Sequence, residues 1–124
     1  MTEELNRQIE QHRAYGHEIC ARIAGYLQKL GVNAEAAAAP NYEAAVFNLH
    51  TDPYAQTQDL IGYWYNAAQQ RVGQIKFHSD GSCYAEYDIL QPHPGKKHWF
   101  IEAINVWGRQ DGLKVEAKLL EQPQ

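Results

Sequence analysis

The stretch KFHSDGSCYAEY, residues 76–87, brings His78, Ser79, Asp80, Ser82 and Cys83 within six positions. These are the side-chain types of a hydrolytic triad: a nucleophile, a base, and a carboxylate to orient the base. Their spacing argues against that chemistry. Neighbouring residues of a strand point to opposite faces, whereas triads are assembled from separated elements. A three-residue loop of Ser79, Asp80 and Gly81, with Gly81 in the left-handed bulge position, closes a hairpin here. Its register sets Phe77 opposite Cys83, Ile75 opposite Ala85 and Gly73 opposite Tyr87. His78 and Cys83 then lie on opposite sides of the sheet and cannot form a dyad. A two-residue Asp-Gly turn would pair Phe77 with Tyr84 and mix apolar with charged residues on both faces, which a half-buried sheet does not tolerate.

Other groupings offer ligands. His17 and Cys20, three apart on a helix, could give a metal two donors, but zinc needs three or four and no CxxC or HExxH supplies the rest. No metal or cofactor is expected. His12 lies on a buried stripe one turn before Gly16. It reads either as a titrating group facing a cavity beneath the glycine or, more simply, as a hydrogen-bonded core histidine. HPGKKH, residues 93–98, gathers His93, His98 and two lysines in a loop that could meet a phosphate or carboxylate. It has too few glycines for a Walker or dinucleotide motif and reads first as a solvated connector. GYWY, residues 62–65, puts Tyr63 and Tyr65 on one face of a strand and Trp64 on the other. Base stacking on such aromatics needs a basic groove, and Arg71, Lys76 and Lys96–Lys97 are too sparse to form one. Glu43, Asp52, Asp88, Glu102 and the six histidines show no spacing with mechanistic meaning, so no catalytic residue is assigned.

The elements that must position these groups follow from periodicity. Leu5, Ile9, His12, Gly16, Ile19, Ile23, Leu27 and Leu30 recur at steps of three and four and predict one helix over 3–30, ended by Gly31. Glu3 with Arg7 and Glu18 with Arg22 would pair on its solvent side. NAEAAAAP, residues 33–40, is a connector. From Tyr42 the period becomes two, and 41–50, 60–67, 71–78 and 82–90 read as four strands of an antiparallel meander. Residues 91–98 form a loop. WFIEAINVWG, 99–108, is ambiguous. Phe100, Ala103, Ile104 and Trp107 fit a helical stripe, while its β-formers allow a strand hairpinned through 109–112; a helix is preferred because Glu102 sits badly in a central strand. A last strand covers 113–120, and 121–124 is a loose tail.

The chain is therefore expected to be a single α+β domain spanning 1–124, in the order α-β-β-β-β-α-β. Helix 1–31, meander 41–90 and the helix-plus-strand unit 96–120 make it up, with both helices on one face of the sheet. In outline this layout resembles small acidic secretion-chaperone domains, in architecture and without a shared motif, so the resemblance implies no function.

At 124 residues, with 44% hydrophobic and 21% charged residues, the chain can bury one core without staples. A net charge of −4 argues against binding duplex phosphate. No apolar run approaches the length of a membrane span. The polar, acidic start is unlike a secretory signal, and Cys20 and Cys83 read as free thiols of a reducing cytoplasm. The expectation is a cytoplasmic binding module without catalytic activity. It would self-associate, or take a protein partner, through the sheet face carrying Tyr63, Tyr65, Lys76, Tyr84 and Glu86. The alternative is a small enzyme or ligand-binding domain with a pocket between helix and sheet, using His12, His93 or His98.

Overall fold

A computed structural model describes residues 2–30, 41–65, 69–88 and 99–121. Two helices, α1 (Thr2–Gln11) and α2 (Arg13–Leu30), precede a 3-10 turn (Tyr42–Ala44). Six strands follow: β1 (Val46–Thr51), β2 (Gln58–Tyr65), β3 (Arg71–Phe77), β4 (Ser82–Asp88), β5 (Trp99–Arg109) and β6 (Lys114–Glu121). They form one sheet in sequence order, every neighbouring pair antiparallel. Among the described residues no helix is long and apolar enough to cross a membrane.

The order α-β-β-β-β-α-β is wrong. Both helices are N-terminal and the chain ends in strands, so the layout that resembled secretion chaperones is absent. Residues 99–108 belong to β5, hairpinned to β6 through the Arg109–Gly112 turn, where the Gly112 N–H donates to the Arg109 carbonyl at 2.8 Å. The objection had been Glu102. The pairing of β5 with β6 passes from Ile101 to Ala103 and skips it, as the extra residue of a bulge. A bulge absorbs a residue that does not fit the alternation.

Leu5, Ile9, Ile19, Ile23 and Leu27 of the helical stripe do face the core, but the helix is broken at His12. The ring Nδ1 of His12 lies 2.9 Å from the Gln8 carbonyl, which also accepts the His12 backbone N–H at 3.1 Å. A side chain bonding back onto the preceding turn bends a helix there. The bend lets α1 pack over β1 and β2 while α2 packs over β5 and β6, so one amphipathic segment spans the sheet. On its solvent side Arg7 pairs with Glu4, not Glu3, and Glu18 and Arg22 make no ion pair with each other.

Beneath the helices lies the apolar face of the sheet. Leu60, Trp64, Ile75, Phe77, Cys83, Ala85, Tyr87, Ile104 and Val106 meet Tyr15, Ile19, Cys20, Ile23 and Leu27 in one buried cluster. The β3–β4 register places Phe77 opposite Cys83, Ile75 opposite Ala85 and Gly73 opposite Tyr87. Gly81 takes φ of 91°, the left-handed conformation the turn required. Tyr42 is the linchpin between layers. Asn41 opens its turn by accepting the Glu43 N–H at 3.0 Å. The Tyr42 ring then lies directly over Gly16, filling the space beneath the glycine, and its hydroxyl donates to the Ile9 carbonyl at 2.7 Å.

Candidate functional site

The other face of the sheet carries no described helix. Two ladders of side chains cross it perpendicular to the strands. The first runs Asn48, Ile61, Lys76, Tyr84, Trp107, Lys114 from β1 to β6. The second runs Val46, Tyr63, Gln74, Glu86, Asn105, Glu116. Alternation sends these side chains outward because their neighbours in sequence are the core. Tyr63, Lys76, Tyr84 and Glu86 therefore do share a face. Tyr65 lies past an irregularity between Trp64 and Tyr65, at the strand end, and is 46% exposed. His93 and His98 lie outside the described residues, as do the helix stop at Gly31, the connector 33–40 and Lys96–Lys97.

Along the first ladder Lys76 and Lys114 are the only charges; along the second, Glu86 and Glu116 are. Tyr84 and Glu86 anchor the centre. The Tyr84 hydroxyl lies 2.8 Å from Glu86 Oε1 and 2.9 Å from Asn105 Oδ1. With one proton to give, it donates to the carboxylate, the stronger acceptor. Burial and that carboxylate push the phenol up to about 12, so it stays a donor. Arg71 stacks 4.9 Å over the Tyr63 ring. Lys76, Lys114, Glu116 and the Tyr63 and Trp107 tips make no hydrogen bond or ion pair with another described residue. Asn105 and Trp107 escaped the sequence reading because it made them helical; strict alternation over 104–107 was the signal that could have placed them.

A second feature sits at the rim, where α1 overhangs the β3–β4 turn. A cleft of about 350 Å³ is lined by Arg7, Gln8, Gln11 and His12 of the helix, and by Gln58, Phe77, His78, Ser79 and Gly81 of the sheet. His12 stacks on Phe77 with ring centroids 4.6 Å apart. His78 Nδ1 lies 3.2 Å from Asp59 Oδ2, and Asp59 Oδ1 accepts the Ser79 N–H at 3.3 Å. Asp59 thus braces the turn, which makes His78 and Asp59 a fixed pair and leaves Ser79 bound through its backbone. Asp80 accepts from the Ser82 N–H at 2.9 Å and from its hydroxyl at 2.6 Å. Those bonds hold its carboxyl below the usual range.

His17, Glu43, Cys20 and Cys83 are tied into the packing. His17 Nε2 is 2.9 Å from Glu43, which also pairs with Arg13. The His17 bond, opposed by partial burial, holds the Glu43 carboxyl below its ordinary value. Cys20 is buried, and burial, followed by the nearby Glu43 charge, pushes its thiol up to about 12. Cys83 is raised by burial as well. Neither is a thiolate nucleophile at neutral pH. Among the described residues no three His, Cys, Asp or Glu are grouped to hold a metal ion. No family model, curated protein or solved structure matches the chain.

Proposed function

We propose that this chain is a small non-catalytic binding module of the cytoplasm that pairs with a second copy of itself through the outer face of the sheet. The observation that carries this reading is the segregation of charge into two adjacent ladders, cationic and anionic. A two-fold axis running across the strands, midway between them, lays each ladder over the other ladder of the second copy. Lys114 then faces Glu116, Tyr84 faces Glu86, Lys76 faces Gln74, and Ile61 faces Tyr63. No like charges meet. Such self-complementarity is what an isologous interface requires.

Size agrees. Six strands at about 4.8 Å spacing and roughly 20 Å of strand length give a face on the order of 600 Å² in projection. Side-chain relief raises the accessible area toward the roughly 800 Å² per partner of a standard interface. Tyr and Trp side chains with an apolar body and a polar tip are enriched in such surfaces. Two free thiols fit a reducing compartment.

The test is solution mass. Light scattering should give twice the 14.2 kDa chain mass. Lys114→Glu sets like charges against each other twice per dimer and should weaken association roughly tenfold or more, on a cost of at least about 1.4 kcal/mol. Adding Glu116→Lys should restore it. A monomer at every concentration, or a Lys114→Glu variant that dimerises as well as the parent, would overturn the reading.

A further inference from the structure

The rim cleft lies at the end of the sheet beside the β3–β4 turn, clear of the two ladders. We propose that it binds a small oxyanion, a carboxylate or a phosphate, between Arg7, His12 and His78. The chain has 15 acidic and 11 basic residues, yet no carboxylate lines this cleft. Its volume of about 350 Å³ lies within the roughly 300–1,000 Å³ of small-ligand sites.

Both imidazoles are tethered in the same sense. His12 Nδ1 is held by the Gln8 carbonyl, an acceptor only, and His78 Nδ1 by the Asp59 carboxylate. Each Nδ1 therefore carries its proton, and each Nε2 is the ring atom left for a ligand. When Nε2 is protonated it donates a charge-assisted bond to an oxyanion. Arg7 spends three of its five N–H donors on Glu4 and Gln11, which leaves two. Gln amides supply further donors, and buried Phe77 forms the floor. The charges nearest the rings are Arg7 and Glu4 on α1, Asp59 on β2, and Asp80 with Arg109 at the turn. Asp59 occupies the Nδ1 side of His78, so an anion meets that ring from the other side. A metal ion is disfavoured by the Arg7 guanidinium and by the lack of a third ligand.

The experiment is a titration of the ¹⁵N-labelled full chain followed at the histidine ring nitrogens. Inorganic phosphate and citrate are the two anion arms, and glycerol is the neutral control. Saturation by either anion, with the Nε2 signals of His12 and His78 moving toward imidazolium and those of His17 and His50 still, supports the site; which anion saturates names its source. Arg7→Gln should weaken that binding roughly tenfold, the loss of one charge-assisted bond, with amide signals far from the cleft unchanged. His78→Asn should do likewise. No saturable response at either histidine, an equal response to glycerol, or undiminished binding by Arg7→Gln would overturn the proposal.

Discussion

A methyl group at Gly16 tests how the helices are locked onto the sheet. A Cβ there would lie 2.1 Å from Tyr42 Cδ1 and 2.2 Å from Cε1, far inside the roughly 3.5–4.0 Å at which carbon atoms rest. Tyr42 has little room to retreat. It is 1% exposed, bonded to Ile9, and packed against Phe47 at 4.9 Å and His17 at 5.6 Å between ring centroids. Two effects compete. Alanine is favoured over glycine in a helix interior by about 1 kcal/mol. Displacing the ring costs about 1–3 kcal/mol of overpacking, and losing the hydroxyl bond about 1 kcal/mol more. The clash wins, so Gly16→Ala should destabilise by about 1–3 kcal/mol. Gly25 lies on the same helix, exposed, with nothing within 4 Å of its Cβ. Gly25→Ala keeps only the propensity gain and should stabilise by up to about 1 kcal/mol. At roughly 3–5 °C per kcal/mol for a chain of this length, thermal melts followed by circular dichroism separate the two variants clearly. In a Tyr42→Ala background the obstacle is gone, and Gly16→Ala should become neutral or stabilising. A Gly16→Ala protein melting at or above the parent would refute the packing, as would an undiminished penalty without the Tyr42 ring.

Glu43 gives the acid limb of the stability curve. Its carboxyl is held below its unfolded value by His17 and Arg13, so its contribution is present above the unfolded pKa and lost as pH falls through the folded one. The gap in melting temperature between the parent and Glu43→Gln should therefore be widest near neutrality and close in acid; a gap constant with pH would contradict the assignment. The thiols give a burial test. Cys20 and Cys83 are buried and their thiols raised, so a thiol-reactive dye at neutral pH should label the native chain only at the rate of unfolding and both sites at once in denaturant. Rapid native labelling would show that the core between α2 and β4 is open.

Local chemistry made part of this fold legible. The β3–β4 hairpin followed from Ser-Asp-Gly and from a register that sorts apolar from charged residues, and the same logic put Tyr63, Lys76, Tyr84 and Glu86 on one surface. Where the reading failed, a residue broke its local pattern for a tertiary reason. Glu102 argued for a helix because a bulge cannot be seen in a single strand. His12 fits the helical stripe, and nothing in the periodicity says that its ring bonds back onto Gln8 and breaks the helix. Tyr42 was read as the start of a strand. Only the glycine across the interface shows why an aromatic ring belongs there. The rim cleft depends on where α1 comes to rest, so Arg7 and Gln58 carried no signal at all.

A sheet covered on one side can simply be wet on the other, and the ladders bear on that choice. Were the outer face tuned for the isolated chain, charges would sit directly across from opposite charges, since such pairs contribute roughly 0.2–1 kcal/mol each. They do not. Lys76 lies between Ile61 and Tyr84, Glu86 between Gln74 and Asn105, Lys114 beside Trp107, and Glu116 beside Asn105. All four charges forgo the cross-strand partner that would serve the monomer. Exchanging Lys114 and Glu116 leaves each still without one, so the doubly exchanged chain should melt as a monomer within about 0.5 kcal/mol of the parent. The single Lys114→Glu change should do the same, so whatever either change does to solution mass must arise between copies. Charges ordered along two rows without cross-strand partners are what the proposed interface would use.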